Sequence, residues 1–238
     1  MTGVGEASRR GSVASAGPVR HFVTDRRRFG LSLDELVARA ASAVRAGVDV
    51  IQVRERDLPD GRLADLTREV VRVSAGTPTR VVVNDRADIA LAAGAAGVHL
   101  RGDSPLASRV RAMAALTAGA ASAACAEPPS LERRRPGAAA PTALTAPGGF
   151  LIGQSVHSLA EVDAAVAAGG CDYLMFGTVF PSHGKPDGHP VAGLEALQAV
   201  CARSPLPVIA IGGMNESRAD AVRAAGAAGF AAVGLFMC

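Results

Sequence analysis

Nearly continuous runs of apolar residues recur along the chain, and four of them follow a helix-like segment that ends in Ala-Gly. The four junctions are Ala46-Gly47, Ala93-Gly94, Ala168-Gly169 and Ala225-Gly226. Glycine commonly ends a helix because it adopts the left-handed conformation without a Cβ clash. Apolar runs without polar alternation are typical of parallel strands that are buried on both faces. The pattern therefore predicts helices that alternate with parallel strands.

Followed through the whole chain, the same pattern predicts eight strands and the helices between them. The spacings between the four junction glycines are 47, 75 and 57 residues. If each spacing covers two strand–helix units, a unit has about 25–30 residues, which is normal for an α/β barrel. We therefore predict a single (β/α)8 TIM barrel. Its predicted strands cover residues 21–24, 48–53, 80–83, 97–100, 150–153, 172–176, 208–211 and 229–235, and its helices include 33–46, 59–75, 158–168 and 216–225.

Two segments and the end of the chain depart from this pattern. Residues 1–20 are rich in Gly, Ser, Ala and Arg, and we predict a disordered tail ahead of a barrel domain over 21–238. Residues 117–149 are rich in Pro, Ala, Gly and Ser, so we predict a flexible insertion. The usual final helix is expected to be missing, because the chain stops just after strand eight. In other barrels that helix covers the seam between strands eight and one. Either the chain is truncated, or the seam is covered by the tail or by a partner such as a second copy in a homodimer.

Composition and charge narrow the class of protein. The chain has 238 residues, 49% of them hydrophobic, with 27 glycines and no Trp, so small apolar side chains must fill the interior. A net charge of +3 with arginines in short clusters indicates a solvated surface rather than a nucleic-acid partner. The four cysteines lack metal-ligand spacing, and we find neither a signal peptide nor an apolar run that could span a membrane. We expect a cytoplasmic protein without membrane contact.

The chemistry is expected at the carboxyl ends of the strands, where barrel enzymes carry their reacting groups. Polar side chains and glycines follow most of the predicted strands at that point. They are Gln52, Arg54 and Arg56; Asn84 and Asp85; His99, Arg101 and Asp103; Ser155 and His157; Thr178, Ser182 and Lys185; Gly212 and Gly213; and Gly234.

Glycines and arginines in this set predict binding of a phosphorylated molecule. Gly212 and Gly213 stand between a buried strand and a helix, where backbone N–H groups approach an anion closely. Gly234 would face them, as in barrels that bind phosphate with loops seven and eight; the alternative is a plain tight turn. Arg54 and Arg56 point to the same side of an extended segment and can reach a polyanion, although either could instead pair with Glu55 or Asp85.

The acidic residues and the histidines leave two interpretations each. Asn84 and Asp85 are oxygen ligands suited to Mg²⁺, with Asp103 as a second carboxylate, but Asp85 could equally cap the next helix. His157 could move a proton near neutral pH, with Ser155 on the same side, or could be a structural histidine. His183 and His189 lie in a Gly- and Pro-rich loop that we interpret as a lid, from which Lys185 could close over a phosphate.

Six segments, in order along the chain, resemble the thiamine phosphate synthase and thiazole tautomerase family. The resemblance covers residues 21–235 apart from the 117–149 insertion. The segments are IQVRER at 51–56, VNDRADIAL at 83–91, GVHL at 97–100, IGQSVHS at 152–158, FGTVFP at 176–181 and VIAIGGM at 208–214.

This resemblance implies the coupling of an aminopyrimidine methyl diphosphate with a thiazole phosphate, which gives thiamine phosphate and pyrophosphate. It implies that Mg²⁺ binds at Asp85, with Asp103 as second ligand. It also implies diphosphate or pyrimidine contacts for Gln52, Arg54, Asn84 and Lys185, and a thiazole-phosphate site at Gly212 and Gly234.

The chain departs from the synthase pattern at three positions, which keeps two alternatives open. Arg56 replaces the usual Lys, residues 101–104 replace the usual run of metal-binding residues, and Gly184 replaces a hydroxyl residue. The tautomerase branch would aromatise a thiazole carboxylate phosphate without metal, with His157 as proton shuttle. A barrel that binds a phosphorylated ligand without catalysis is the second alternative.

Overall fold

The structure, a computed structural model, describes residues 17–121, 144, 149–182, 188 and 190–237. Within these residues eight parallel strands close into a barrel in chain order, which confirms the predicted TIM barrel. The strands are β1 Val19–Val23, β2 Val50–Val53, β3 Arg80–Asn84, β4 Gly97–Leu100, β5 Leu151–Val156, β6 Tyr173–Gly177, β7 Val208–Ile211 and β8 Gly229–Ala232.

The helices cover the outside of the barrel, and their ends are explained by local sequence. Ser32 caps α1 in a reciprocal capping box with Glu35, and Ser158 caps α5. The four junction glycines all have positive φ, as predicted. The helices are α1 Leu33–Arg45, α2 Asp60–Ser74, α3 Ala87–Ala92, α4 Ala107–Ala121, α5 Leu159–Ala168, α6 Gly193–Arg203 and α7 Ala219–Ala224, with 3-10 turns at Arg26–Phe29, Glu216–Arg218 and Gly234–Phe236.

Three predicted boundaries differ from the structure. β1 begins at Val19, so the barrel starts two residues before the predicted domain boundary at 21. α4 continues to Ala121 and takes up the first five residues of the predicted insertion 117–149. β5 continues to Val156, because Ser155 and Val156 pair with β6, and therefore Ser155 lies on a strand and not in a loop. Residues 1–16 of the tail and nearly all of 122–148 lie outside the described residues.

The seam between β8 and β1 is packed by the last described residues. Between β8 and residue 237 the described chain forms the 3-10 turn Gly234–Phe236. The ring of Phe236 lies 5.4 Å from the ring of Phe22 on β1, and the guanidinium of Arg20 lies 5.5 Å from the Phe236 ring. Met237 is buried in the same cluster. These apolar contacts do part of the covering that a final helix does in other barrels.

The barrel interior is apolar near the strand beginnings and polar further along. Val19, Val50, Leu151 and Ile209 fill the apolar part. Above them His21, Gln52 and His99 are buried polar side chains from β1, β2 and β4, and the buried ring of Tyr173 joins them from β6. We call the opening of the barrel at the carboxyl ends of the strands the mouth, and this polar layer beneath it the floor. None of the described helices is long and apolar enough to cross a membrane.

Candidate active site

A hydrogen-bonded set centred on His99 forms the floor of the mouth. The Nδ1 atom of His99 lies 3.1 Å from the Tyr173 hydroxyl, and its Nε2 atom lies 2.9 Å from the Ser155 hydroxyl. The Tyr173 ring lies over Gly153, where a Cβ atom would come within 2.0 Å of it. Glycine at this position therefore makes the space that the tyrosine ring occupies.

The two floor histidines are held in their neutral form. Burial lowers the pKa of His99 to about 4; the charge of Asp85 opposes this shift and that of Arg54 adds to it. Burial, with His99 as a further cause, lowers the pKa of His21 to about 3, and Gln52 opposes the shift. A neutral imidazole has one donor and one acceptor nitrogen. These rings can therefore orient neighbouring groups at neutral pH, but they do not supply a positive charge.

This floor was largely missed by sequence reasoning. The sequence pattern places His99 at the end of strand four without indicating a role, and it does not single out His21 or Tyr173. The available signal was the two-residue period of a strand, which places His21, Gln52, His99 and Tyr173 on inward-facing positions. Among the described residues, neither ring nitrogen of His21 nor the Oε1 atom of Gln52 has a hydrogen-bond partner.

Gln52 and Asn84 lie side by side on neighbouring strands. The Nε2 atom of Gln52 donates a hydrogen bond to Oδ1 of Asn84 over 2.9 Å. The Oε1 atom of Gln52 is buried and has no hydrogen-bond partner among the described residues, whereas the amide N–H groups of Asn84 are not used in this bond and can donate to a ligand. The structure thus brings together two residues that the sequence placed on separate loops.

The loops after β1 and β2 are joined by a buried carboxylate. Glu55 is 3% exposed, and its oxygens accept hydrogen bonds from the backbone N–H of Arg26 over 3.1 and 3.2 Å. Burial raises the pKa of Glu55, while hydrogen bonds from Thr24 and Arg26 oppose the rise. The Arg26 guanidinium also contacts Asp57. Glu55 therefore pairs with Arg26 and is not the partner of Arg54 or Arg56.

Arg54 is fixed at its backbone while its guanidinium has a weak partner. Its N–H donates to the Thr24 hydroxyl over 2.9 Å, and its Nη1 atom lies 3.7 Å from Asp25. Burial, with the nearby charge of Arg56 as second cause, lowers the pKa of Arg54. An arginine that is partly desolvated beside a like charge gains most from an incoming anion.

Asp85 is engaged by the loop after β4. Its Oδ2 atom accepts from Nε of Arg101 over 2.8 Å, and its Oδ1 atom contacts the Ser104 hydroxyl. The same Arg101 Nε lies 3.4 Å from Oδ1 of Asp103, whose side chain is 72% exposed. Asp85 does not cap α3, since the residue at the cap position is Arg86 and makes no side-chain cap bond.

A Mg²⁺ ion does not fit between the predicted ligands as the structure places them. The guanidinium of Arg101 stands between Asp85 and Asp103, and both oxygens of Asp85 already accept hydrogen bonds. Mg²⁺ requires near-octahedral oxygen coordination at about 2.0–2.1 Å. In the described part of the chain no group of three or more His, Cys, Asp or Glu side chains is arranged to hold a metal ion.

His157 lies at the rim, where it pairs with the following helix. Its side chain is 64% exposed, and its Nδ1 atom lies 3.2 Å from Oε2 of Glu161. Its backbone N–H donates to the same carboxylate over 3.0 Å. The histidine that contacts Ser155 is thus His99, whereas the sequence suggested His157.

The glycines after β7 lie against the loop after β6. Gly212 and Gly213 have φ values of 102° and 61°, which L side chains rarely adopt. A Cβ atom on Gly212 would come within 2.5 Å of the Thr178 side chain, and one on Gly213 within 2.3 Å of the Pro181 carbonyl oxygen. These glycines are therefore required by conformation and by packing, whether or not an anion binds there.

The remaining candidates are only partly placed. A Cβ atom on Gly234 would lie 3.8 Å from the Phe29 ring, which is an ordinary van der Waals contact. Thr178 and Ser182 lie on the described part of the loop after β6. His183, Lys185 and His189 lie outside the described residues.

Comparisons with known proteins agree on one family. Residues 20–127 and 138–236 match the family model described as thiamine monophosphate synthase. The chain is 36% identical to a putative thiamine-phosphate synthase of Geobacter sulfurreducens over 90% of this chain and 84% of the relative. It is 38% identical to a thiamine-phosphate synthase of Anaeromyxobacter dehalogenans over 81% of this chain and 71% of the relative.

Solved structures agree with the family match. A thiamine phosphate pyrophosphorylase from Pyrococcus furiosus superposes with a TM-score of 0.68 and 26% identity, covering 92% of this chain and 87% of the other. A 3-hexulose-6-phosphate synthase at 18% identity, with a TM-score of 0.58 over 91% of this chain and 90% of the other, shows the shared barrel fold alone. The break in the family match, residues 128–137, lies inside the predicted insertion 117–149.

Proposed function

Since this chain belongs to the thiamine monophosphate synthase family, we propose that it couples hydroxymethylpyrimidine diphosphate with thiazole phosphate. The products are thiamine phosphate and pyrophosphate, and the enzyme is a transferase of thiamine biosynthesis. The observation that carries the proposal is a series of hydrogen bonds between neighbouring strand ends. Gln52 on β2 bonds Asn84 on β3, Arg101 after β4 bonds Asp85 after β3, and His99 on β4 contacts Ser155 on β5.

The reaction requires stabilisation of a leaving group more than acid–base chemistry. The bond between the pyrimidine methylene carbon and the diphosphate oxygen breaks, and its electron pair leaves with pyrophosphate. The thiazole nitrogen then supplies its lone pair to form the new carbon–nitrogen bond. Catalysis of such a step depends on positive charge and N–H donors around the leaving oxygens and on alignment of the two rings.

For the diphosphate we propose Arg54, Arg56, Ser155 and Lys185 as the binding groups. The partly buried guanidinium of Arg54 is close enough to Arg56 for the two positive charges to repel each other. A bound polyanion relieves this repulsion, which favours binding. Ser155 would donate its hydroxyl proton to a diphosphate oxygen. Lys185 would approach from the loop after β6.

For the pyrimidine and the thiazole phosphate we propose separate sides of the mouth. The amide N–H groups of Asn84 suit a ring nitrogen of the pyrimidine, and Gln52 would orient that amide through the hydrogen bond that the two side chains share. The thiazole phosphate would bind at backbone N–H groups of the loops after β6, β7 and β8. The residues proposed there are Thr178, Ser182, Gly212, Gly213 and Gly234.

No step of this mechanism passes through a metal ion. Asp85 and Asp103 would be the protein ligands of Mg²⁺, but their placement on either side of Arg101 does not fit the ion. The positive charge that the leaving diphosphate requires is therefore assigned to arginine side chains.

Loss of Arg54 is the sharpest test of the proposal. With both substrates present, Arg54→Ala is expected to lower kcat/KM for pyrophosphate release by about 100-fold, because a charge-assisted contact to the leaving group is lost. The matched control is Arg68→Ala, since Arg68 is an exposed arginine on α2 that pairs with Asp65. Equal activity of both variants would contradict the assigned role of Arg54.

The pairing of His157 with Glu161 favours a second candidate, a thiazole tautomerase. A carboxylate within 3.2 Å of an imidazole can hold it in the orientation that a proton shuttle requires. The tautomerase would aromatise a thiazole carboxylate phosphate without metal. Isomerisation of that substrate that disappears in His157→Ala would support it. A protein that binds thiazole phosphate but catalyses neither reaction would be a non-catalytic barrel.

A further inference from the structure

We infer that the guanidinium of Arg101 takes the place of a divalent cation at the ends of β3 and β4, and that the diphosphate binds there without Mg²⁺. The inference rests on the proposed function for the identity of the anion. It starts from the contacts of a single side chain, which lies between the two carboxylates predicted to hold the metal ion.

The backbone fixes Asp85 for this contact. Its N–H donates to the carbonyl oxygen of His99 over 2.8 Å, which continues the pairing of β3 with β4 beyond the strand end. Among the described residues, Asp85 is the only non-glycine residue with a positive φ, at 64°. The carboxylate is thus held against the β4 loop by a conformation that side-chain-bearing residues rarely adopt.

The loop after β4 closes around the same carboxylate. The backbone N–H of Arg101 donates to the Ser104 hydroxyl over 2.8 Å, and that hydroxyl contacts Oδ1 of Asp85. Nε of Arg101 lies 2.8 Å from Oδ2 of Asp85 and 3.4 Å from Oδ1 of Asp103. One residue therefore contributes its backbone and its side chain to a ring of contacts that uses both oxygens of Asp85.

The arrangement leaves donors for a ligand. The side chain of Arg101 is 45% exposed, and within the described residues its hydrogen bonds all run through Nε. The two Nη atoms carry four further N–H groups, whose fork matches the oxygens of a phosphate group. Like a bound metal ion, the guanidinium is positive, is anchored by carboxylates and keeps donors that the described residues do not use.

Arg101 lies at the same end of the barrel as two other arginines. It directly follows β4, and Arg54 and Arg56 follow β2, so all three come after the carboxyl ends of strands. Three arginines at this end can balance the charge of a diphosphate. Mg²⁺ in the same place would have to displace the guanidinium and two hydrogen bonds of Asp85.

Binding of inorganic pyrophosphate to the full chain, measured calorimetrically in EDTA and in Mg²⁺, tests this inference. The wild type should bind pyrophosphate in EDTA, and Mg²⁺ should change its Kd by less than about threefold. Arg101→Gln should weaken binding in EDTA by about 10- to 100-fold, because a charge-assisted contact is lost. The control Arg109→Gln, an exposed arginine on α4, should bind as the wild type.

The metal itself provides a readout that does not depend on activity. Electron paramagnetic resonance of added Mn²⁺ should show weak binding to the wild type and a tighter site in Arg101→Gln, where Asp85 is freed. The double variant Arg101→Gln/Asp85→Asn should lose this site again. Pyrophosphate binding by the wild type only in the presence of Mg²⁺, or an unchanged Kd in Arg101→Gln, would overturn the inference.

The proposed function can fail separately. If the wild type binds pyrophosphate in EDTA through Arg101 but forms no thiamine phosphate from the two substrates with or without Mg²⁺, the anion site stands and the synthase reaction falls. If thiamine phosphate forms only with Mg²⁺, the synthase reaction stands and the role of Arg101 falls.

Discussion

The Nε2 atom of His99 lies 2.9 Å from the hydroxyl of Ser155, and this contact joins a fully buried histidine to the rim of the mouth. Burial raises the pKa of Tyr173, so its phenol keeps its proton, and within the described residues that proton's acceptor is Nδ1 of His99. Nε2 then carries the imidazole proton and donates to Ser155. The serine hydroxyl proton is left to donate to a ligand, which is the role proposed for it at the diphosphate.

Tyr173→Phe should therefore destabilise the protein without removing the site. The change leaves the buried Nδ1 of His99 without a donor, and an unsatisfied buried acceptor costs about 1–3 kcal/mol. The free energy of unfolding from urea titration measures the loss. Ser155→Ala is the comparison, since it removes the hydrogen bond at Nε2 of His99, on the less buried side of the same imidazole. A Tyr173→Phe variant as stable as the wild type would contradict the assigned proton arrangement.

The free energy of unfolding is expected to decrease as the pH is lowered below about 6.5, because two buried histidines are neutral in the folded chain. Their pKa values are lowered to about 3 and about 4, so the unfolded chain takes up the protons first as pH falls. Each histidine then removes up to about 1.4 kcal/mol of stability per pH unit between the unfolded and the folded pKa. Urea unfolding at pH 7, 6 and 5 checks this slope.

His21→Leu isolates one of these contributions. The variant should lose roughly half of the histidine-dependent slope, because the buried imidazole whose pKa lies at about 3 is gone. Phe22→Leu, a buried apolar change on the same strand, keeps both histidines and their hydrogen bonds and serves as the control with an unchanged slope. Identical slopes in His21→Leu and the wild type would show that His21 is not held neutral by burial.

Glu55 should act on the diphosphate through the loops that it joins. Glu55→Gln weakens two hydrogen bonds from the Arg26 backbone and the ion pair with its guanidinium, at an expected cost of about 1–3 kcal/mol in the free energy of unfolding. Arg54 directly precedes Glu55, so a shift of this loop also displaces Arg54. KM for the pyrimidine diphosphate should therefore rise more than kcat falls.

The control for Glu55 is Glu69→Gln on α2. Glu69 is an exposed carboxylate that pairs with Arg72 three residues away, and such surface pairs contribute about 0–1 kcal/mol. Its stability and KM should stay close to the wild type. Equal KM values in the two variants would refute the positioning role of Glu55.

Gly212→Ala should be more damaging than a glycine substitution of similar backbone strain. Both Gly212 and Gly94 have positive φ, but a Cβ on Gly212 would come within 2.5 Å of Thr178, whereas Gly94 faces open space. Gly94→Ala thus reports the cost of conformation alone, about 1 kcal/mol or more. The free energy of unfolding from urea titration and the affinity for thiazole phosphate should both be lower in Gly212→Ala than in Gly94→Ala. Equal losses in the two variants would show that packing against the loop after β6 does not matter.

Most of the fold could be predicted from the sequence, because the strand and helix signals are local. Apolar runs and Ala-Gly junctions mark the elements, and the ends of the predicted strands place Gln52, Asn84 and Ser155 at the mouth. The pairing of His157 with Glu161 was also within reach, since Ser158 and Glu161 have the spacing of a helix cap.

Contacts between loops could not be predicted in the same way. Arg101 meets Asp85 across 16 residues, and His99 meets Tyr173 across 74 residues. Both contacts depend on the register of neighbouring strands and on which side chain reaches first. For the same reason the metal ligands implied by Asp85 and Asp103 gave no indication of the guanidinium between them.

The most direct test is the stoichiometry of products in a mixture of purified protein, hydroxymethylpyrimidine diphosphate and thiazole phosphate. We expect thiamine phosphate and pyrophosphate to appear in equal amounts, and neither to form when one substrate is omitted. A folded protein that forms no thiamine phosphate from both substrates, with Mg²⁺ or with EDTA, would contradict the account.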